Sequence, residues 1–83
     1  MSEVTLYGRP DCHLCDEARA AIRQFDGIEL REIDIESDDR LFASMLERIP
    51  VVEVAGREAF TYFVHPDGLR RRLAQSPPSE PGL

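Results

Sequence analysis

Val4-Thr5-Leu6-Tyr7-Gly8-Arg9-Pro10-Asp11-Cys12-His13-Leu14-Cys15 is the stretch on which the fold turns. Its first four residues are strand formers, Gly8 ends the run, and Pro10 enforces a loop. After the second cysteine, Ala18, Ala21, Ile22 and Phe25 recur on one face of an amphipathic helix. A thiol at a helix start meets unpaired backbone N–H groups and the positive end of the helix dipole. Both stabilise a thiolate, the form that attacks disulfides or binds soft metals. A second thiol three residues on lies within one helical turn, close enough to close a disulfide. Cys12 and Cys15 are the chain's two cysteines, so any cysteine chemistry belongs to this loop.

Outward from the loop, the first helix is expected from residue 12 or 14 to about 25, stopped by Asp26-Gly27. Residues 29–35 alternate, with Leu30, Ile33 and Ile35 apolar, and read as a second strand. Ser37-Asp38-Asp39 offers caps to a second helix carrying Leu41, Phe42, Met45, Leu46 and Ile49. After Pro50, Val51-Val52-Glu53-Val54 is a strand, Ala55-Gly56 a tight turn, and residues 58–64 a returning strand rich in aromatics. His65-Pro66-Asp67 opens a last helix presenting Leu69 and Leu73. The expected order is β-α-β-α-β-β-α, with one domain over residues 1–75 and a disordered tail at 76–83. A strand–helix–strand unit demands a parallel pair, and two strands joined by a short turn must be antiparallel. An α/β protein with a four-stranded mixed sheet and helices on both faces meets both demands, an arrangement similar to the thioredoxin-like fold.

Eighty-three residues provide one core and no second lobe. The net charge of −6 argues against nucleic acid as a partner. No apolar run is long enough to cross a bilayer, and no secretory leader is visible, so no membrane partner is expected. One cysteine pair is too few for a secreted disulfide scaffold. The expected compartment is the cytoplasm and the expected state a monomer. All ten basic residues are arginine, scattered except for Arg70-Arg71-Arg72, which reads as a solvated helix end.

Residues 5–15 resemble the active-site entry of glutaredoxins, and Ile49-Pro50-Val51-Val52-Glu53-Val54 resembles the segment carrying their cis-proline. In detail the chain looks most like small glutaredoxin-like proteins of bacteria. The resemblance implies a thiol–disulfide oxidoreductase, with Cys12 as attacking thiolate and Cys15 as resolving thiol. It implies a cis Pro50, with the backbone of Ile49 pairing with substrate. Arg9 sits where glutaredoxins often carry a basic residue that meets a glutathione carboxylate. The chain also departs from that family. His13 and Leu14 replace its proline and aromatic residue, Arg48 and Ile49 precede Pro50 in place of threonine and valine, and Phe63-Val64-His65-Pro66 stands where a glycine-glycine-aspartate motif is usual.

The site residues expected from this reading are Cys12 and Cys15 for catalysis, and Arg9, His13, Ile49 and Pro50 for substrate. The partner is a disulfide-containing protein or small thiol, with glutathione as a possible co-substrate and no resident cofactor or metal. His13, if protonated, and Arg9 would lower the Cys12 pKa, and Asp11 would raise it. Two other readings stand beside this one: an iron–sulfur or metal-binding module shared across a dimer, and a redox-inert interaction domain. Among Phe60, Tyr62 and Phe63, alternation leaves one exposed near the substrate groove.

Overall fold

Val4, Leu6 and Gly8 alternate with Thr5 and Tyr7 along one strand, β1 (Ser2–Gly8), and the first set is buried. In the computed structural model, which describes residues 2–75, this strand has neighbours on both sides. It pairs in parallel with β2 (Ile28–Asp34) and antiparallel with β3 (Val51–Val54). The last strand, β4 (Arg57–Thr61), pairs antiparallel with β3, so the sheet order is β2-β1-β3-β4. The crossover between β1 and β2 is α1 (His13–Arg23); α2 (Asp39–Met45) and α3 (Pro66–Gln75) follow β2 and β4. The tail expected at 76–83 lies outside the described residues.

The core lies between the sheet and the α1/α3 pair. Val4, Leu6, Val52, Val54, Ala18, Ile22 and Leu69 form one buried cluster, with Phe25, Ile28, Leu30, Phe60 and Leu73 packed around it. Each fully buried aliphatic side chain here contributes about 1.5–3 kcal/mol. The starts of α2 and α3 are both set locally. Asp38 Oδ1 accepts from the N–H groups of Arg40 (2.7 Å) and Leu41 (3.4 Å) at the start of α2, a cap worth about 1 kcal/mol. Pro66 occupies the first position of α3, where its missing N–H costs nothing.

Four element ends differ from the sequence expectation. The first helix closes at Arg23 rather than near residue 25, the N–H groups of Gln24 (3.3 Å) and Phe25 (3.1 Å) bonding back to the Ala21 and Ile22 carbonyls. Residues 58–64 do not form one strand, because β3 begins only at Val51 and Thr61 is its last partner. The Tyr62 N–H is instead captured by the carbonyl of Pro50 at 2.9 Å, and the chain turns. The second helix stops at Met45 rather than continuing to Ile49. The N–H groups of Arg48 (2.8 Å) and Ile49 (3.0 Å) both bond back to the Met45 carbonyl, closing the helix ahead of Pro50. β2 ends one residue early, at Asp34, whose carboxylate accepts from the Glu36 N–H at 2.8 Å and starts a 3-10 turn over Ile35–Ser37.

Ala55 and Gly56 connect β3 and β4 with φ of 53° and 82°, the positive-φ pair of a primed two-residue turn. Gly56 tolerates this conformation and Ala55 does so poorly. Ala55→Asn is therefore expected to raise unfolding stability by about 0.5–1 kcal/mol. Urea denaturation checks this, and an unchanged or lower midpoint contradicts it.

Candidate active site

The loop between β1 and α1 is built to deliver a sulfur to a helix start. Asp11 takes φ 60°, a left-handed conformation that Asp accepts more readily than most residues. Cys12 then becomes the N-cap of α1 in extended conformation (φ −106°, ψ 108°), and its sulfur accepts the Cys15 N–H at 3.1 Å. Its carbonyl accepts the Asp16 N–H at 3.1 Å. One cysteine side chain thus satisfies an otherwise unpaired donor at the positive end of the helix, where negative charge on sulfur is favoured.

Cys12 and Cys15 are joined as a disulfide, with Cα atoms 5.2 Å apart. Their environments are unequal. Cys12 is half-buried, whereas Cys15 is wholly buried on the inner face of α1. The space for Cys15 comes from Gly8 at the end of β1. A Cβ at that position would lie 2.9 Å from the Cys15 sulfur. In sequence Gly8 reads as the end of a strand; its second role appears only when α1 lies on β1.

Side chains also link α1 to β2. On the exposed side of that helix, Arg19 bonds Asp16 (2.8 Å) and Glu32 of β2 (2.6 Å), and Arg23 reaches the same Glu32 at 3.3 Å. Hydrogen bonds to Asp16 first and Glu32 next raise the Arg19 pKa, keeping it charged.

Across from the loop, the Ile49–Pro50 peptide bond is cis. Arg9, Pro10, Asp11 and Cys12 share an open groove of about 470 Å³ with Glu36, Leu46 and Ile49. The structure therefore brings Cys12, Arg9 and Ile49 together, with Pro50 buried beneath. The Ile49 N–H is committed to Met45, so its amide meets an incoming chain only if that bond opens.

Arg9 meets Glu36 at 2.7 Å and lies over the Phe42 ring, 5.7 Å from its centroid. His13 Nε2 lies 2.8 Å from Glu17 Oε2 along the exposed face of α1. Tyr7 is a half-buried strand residue whose hydroxyl donates to Glu53 Oε1 at 3.3 Å. Desolvation, then the charge of Glu53 and that hydrogen bond, push its pKa above the ordinary value, against a smaller pull from Arg31. Among the described residues no three of His, Cys, Asp and Glu gather in a way that could hold a metal ion.

Beyond β4, Tyr62 adopts φ 69°, and the Phe63 N–H returns to the Thr61 carbonyl at 2.8 Å, a γ-type turn. Such a conformation costs on the order of 1–3 kcal/mol in a residue with a side chain. Phe60 packs on the core, while Tyr62 and Phe63 are both exposed, against the single exposed aromatic that alternation predicts.

Residues 3–74 match the family model described as Glutaredoxin-like domain (DUF836). A structural-genomics target protein from X. campestris, known from an X-ray structure, is 35% identical, with a TM-score of 0.77 over 89% of this chain and 99% of that one. Protein Ne2328 from Nitrosomonas europaea, solved by NMR in solution, is 29% identical, with a TM-score of 0.72 over 84% of this chain and 88% of that one. The glutaredoxin of Archaeoglobus fulgidus is 17% identical, with a TM-score of 0.62 over 88% of this chain and 87% of that one, a likeness of fold alone. No curated protein matched the chain. Among the described residues, no helix is long and apolar enough to cross a membrane.

Proposed function

This chain belongs to the glutaredoxin-like domain family, and from that premise we propose that it is a dithiol–disulfide oxidoreductase working through Cys12 and Cys15. The carrying observation is the inequality of the pair. Cys12 is reachable and sits at the positive end of α1 with an N–H on its sulfur, while Cys15 is buried behind it.

In this reading the Cys12 thiolate attacks one sulfur of a substrate disulfide. The substrate S–S bond breaks, the leaving thiolate takes a proton from water, and a mixed disulfide forms on Cys12. Cys15 then gives up its proton and attacks the Cys12 sulfur, releasing the second substrate thiol. Two electrons have passed from the dithiol to the substrate, and the Cys12–Cys15 bond has formed. A low-molecular-weight thiol, glutathione among the candidates, or a thiol reductase returns the pair to the dithiol. A reducing compartment such as the cytoplasm suits that cycle, with the protein acting as a monomer. Arg9, His13 and the Ile49–Pro50 segment border the path by which substrate reaches Cys12.

Alkylating the reduced protein across a pH series tests the reading. Cys12 is expected to react much faster than Cys15, and to stay reactive below the ordinary thiol pKa of about 8.5. The reduced protein is also expected to turn over hydroxyethyl disulfide with a thiol reductant. Ordinary thiol titration at Cys12 together with no turnover removes the proposal in favour of a redox-inert domain.

A further inference from the structure

The strained aromatic turn after β4 has no part in the exchange chemistry, yet it is pinned beside it. The Tyr62 N–H donates to the Pro50 carbonyl at 2.9 Å, and its hydroxyl donates to the Glu47 carbonyl at 2.7 Å. These bonds hold φ at 69° and turn Phe63 outward, where it is 56% exposed, the highest value for a large hydrophobic among the described residues. An unfavourable backbone conformation that results in an exposed phenylalanine calls for a use of that phenylalanine. Tyr62, Phe63 and Val64 face Leu14, Glu17 and Ala18 of α1 across a hollow of about 110 Å³, room for one aliphatic side chain.

We propose that this hollow is a specificity subsite of the exchange site, taking an apolar side chain next to the cysteine of a neutral or basic polypeptide disulfide. The inference rests on the exchange reading and narrows its substrate class. Position supports it: Leu14 lies between the two cysteines, and Tyr62 is bonded to the Pro50 peptide, whose neighbour Ile49 lines the Cys12 groove. The hollow is thus tied to the site where the disulfide reacts through Leu14 on one side and the Tyr62–Pro50 bond on the other.

Charge supports it too. The basic residues flanking Cys12, Arg9 and His13, already meet Glu36 at 2.7 Å and Glu17 at 2.8 Å. Glu17 itself lines the hollow, and the chain carries a net charge of −6. An anionic occupant is repelled here, and an apolar or basic one is not.

The test uses the full chain kept reduced by a thiol reductant, and two peptides of equal length, each with its cysteine capped as a mixed disulfide with mercaptoethanol. One carries leucine beside the cysteine and the other serine. The leucine peptide is expected to show about tenfold higher kcat/KM. Phe63→Ser should bring the two rates together while leaving hydroxyethyl disulfide turnover unchanged, and Phe63→Leu should restore the difference. Equal rates in the wild type overturn the subsite, as does Phe63→Ser slowing all three substrates alike. If no disulfide turns over, the exchange reading fails by itself. An NMR titration with the leucine peptide, serine replacing its cysteine, then decides the subsite. Shifts at Leu14, Tyr62 and Phe63 support it, and their absence overturns it.

Discussion

Cys12→Ser is expected to lower disulfide turnover by on the order of a thousandfold or more, to the uncatalysed background. The reason is geometric as well as chemical. A serine hydroxyl at the N-cap still accepts the Cys15 N–H, so α1 stays capped and the fold is retained. The remaining thiol, Cys15, is wholly buried and cannot reach a substrate in its place. Cys15→Ser should behave in the opposite way. Cys12 keeps its partial access to solvent and its helix start, so the first displacement proceeds and the mixed disulfide accumulates for want of a resolving thiol. Intact-mass analysis after incubation with a small disulfide separates the two variants: an adduct on Cys15→Ser and none on Cys12→Ser. Turnover surviving in Cys12→Ser, or an adduct on it, reverses the assignment of roles.

Gly8→Ala is expected to destabilise the oxidised protein by about 1–3 kcal/mol, the usual range for overpacking a filled core. For a domain of this size that corresponds to a fall in Tm of roughly 5–20 °C. A methyl group there would sit 2.9 Å from the Cys15 sulfur and 3.2 Å from its Cβ. Cys15 has no room to retreat, because it is fully buried within α1. The φ of Gly8 is not in the left-handed region, so the cost comes from space rather than backbone conformation. A double-mutant cycle makes that distinction measurable. In a Cys15→Ala background the sulfur is gone, and Gly8→Ala should cost markedly less. An equal cost in both backgrounds means the sulfur contact is not the cause.

How far the sequence could be read depended on where the deciding partner lay. The strand–loop–helix around Cys12 and Cys15 was legible because strand alternation, Gly8, Pro10 and the apolar stripe of α1 are all local signals. The Ala55–Gly56 turn was legible for the same reason. Strand propensity alone carries the last strand too far, because Phe60, Thr61, Tyr62 and Phe63 are all good strand formers. What ends β4 is the Pro50 carbonyl, a distant residue that captures the Tyr62 N–H. Leu46 and Ile49 kept helical spacing past the true end of α2, although the chain must turn before Pro50. Arg9 was readable as a basic residue beside the loop, but its partner Glu36 stands beyond β2.

By itself, then, the sequence determined the order of elements, the mixed sheet and the chemistry available at the cysteine loop, since these follow from periodicity, punctuation and residue type over short spans. Only packing settles which cysteine keeps access to solvent, why a side chain at residue 8 is crowded, which carboxylates Arg9 and His13 meet, and that Tyr62 and Phe63 turn outward beside the site. The physical reason is that burial and pairing belong to contacts between segments distant in the chain. Local propensity is indifferent to those contacts until α1, β3 and β4 are packed around β1.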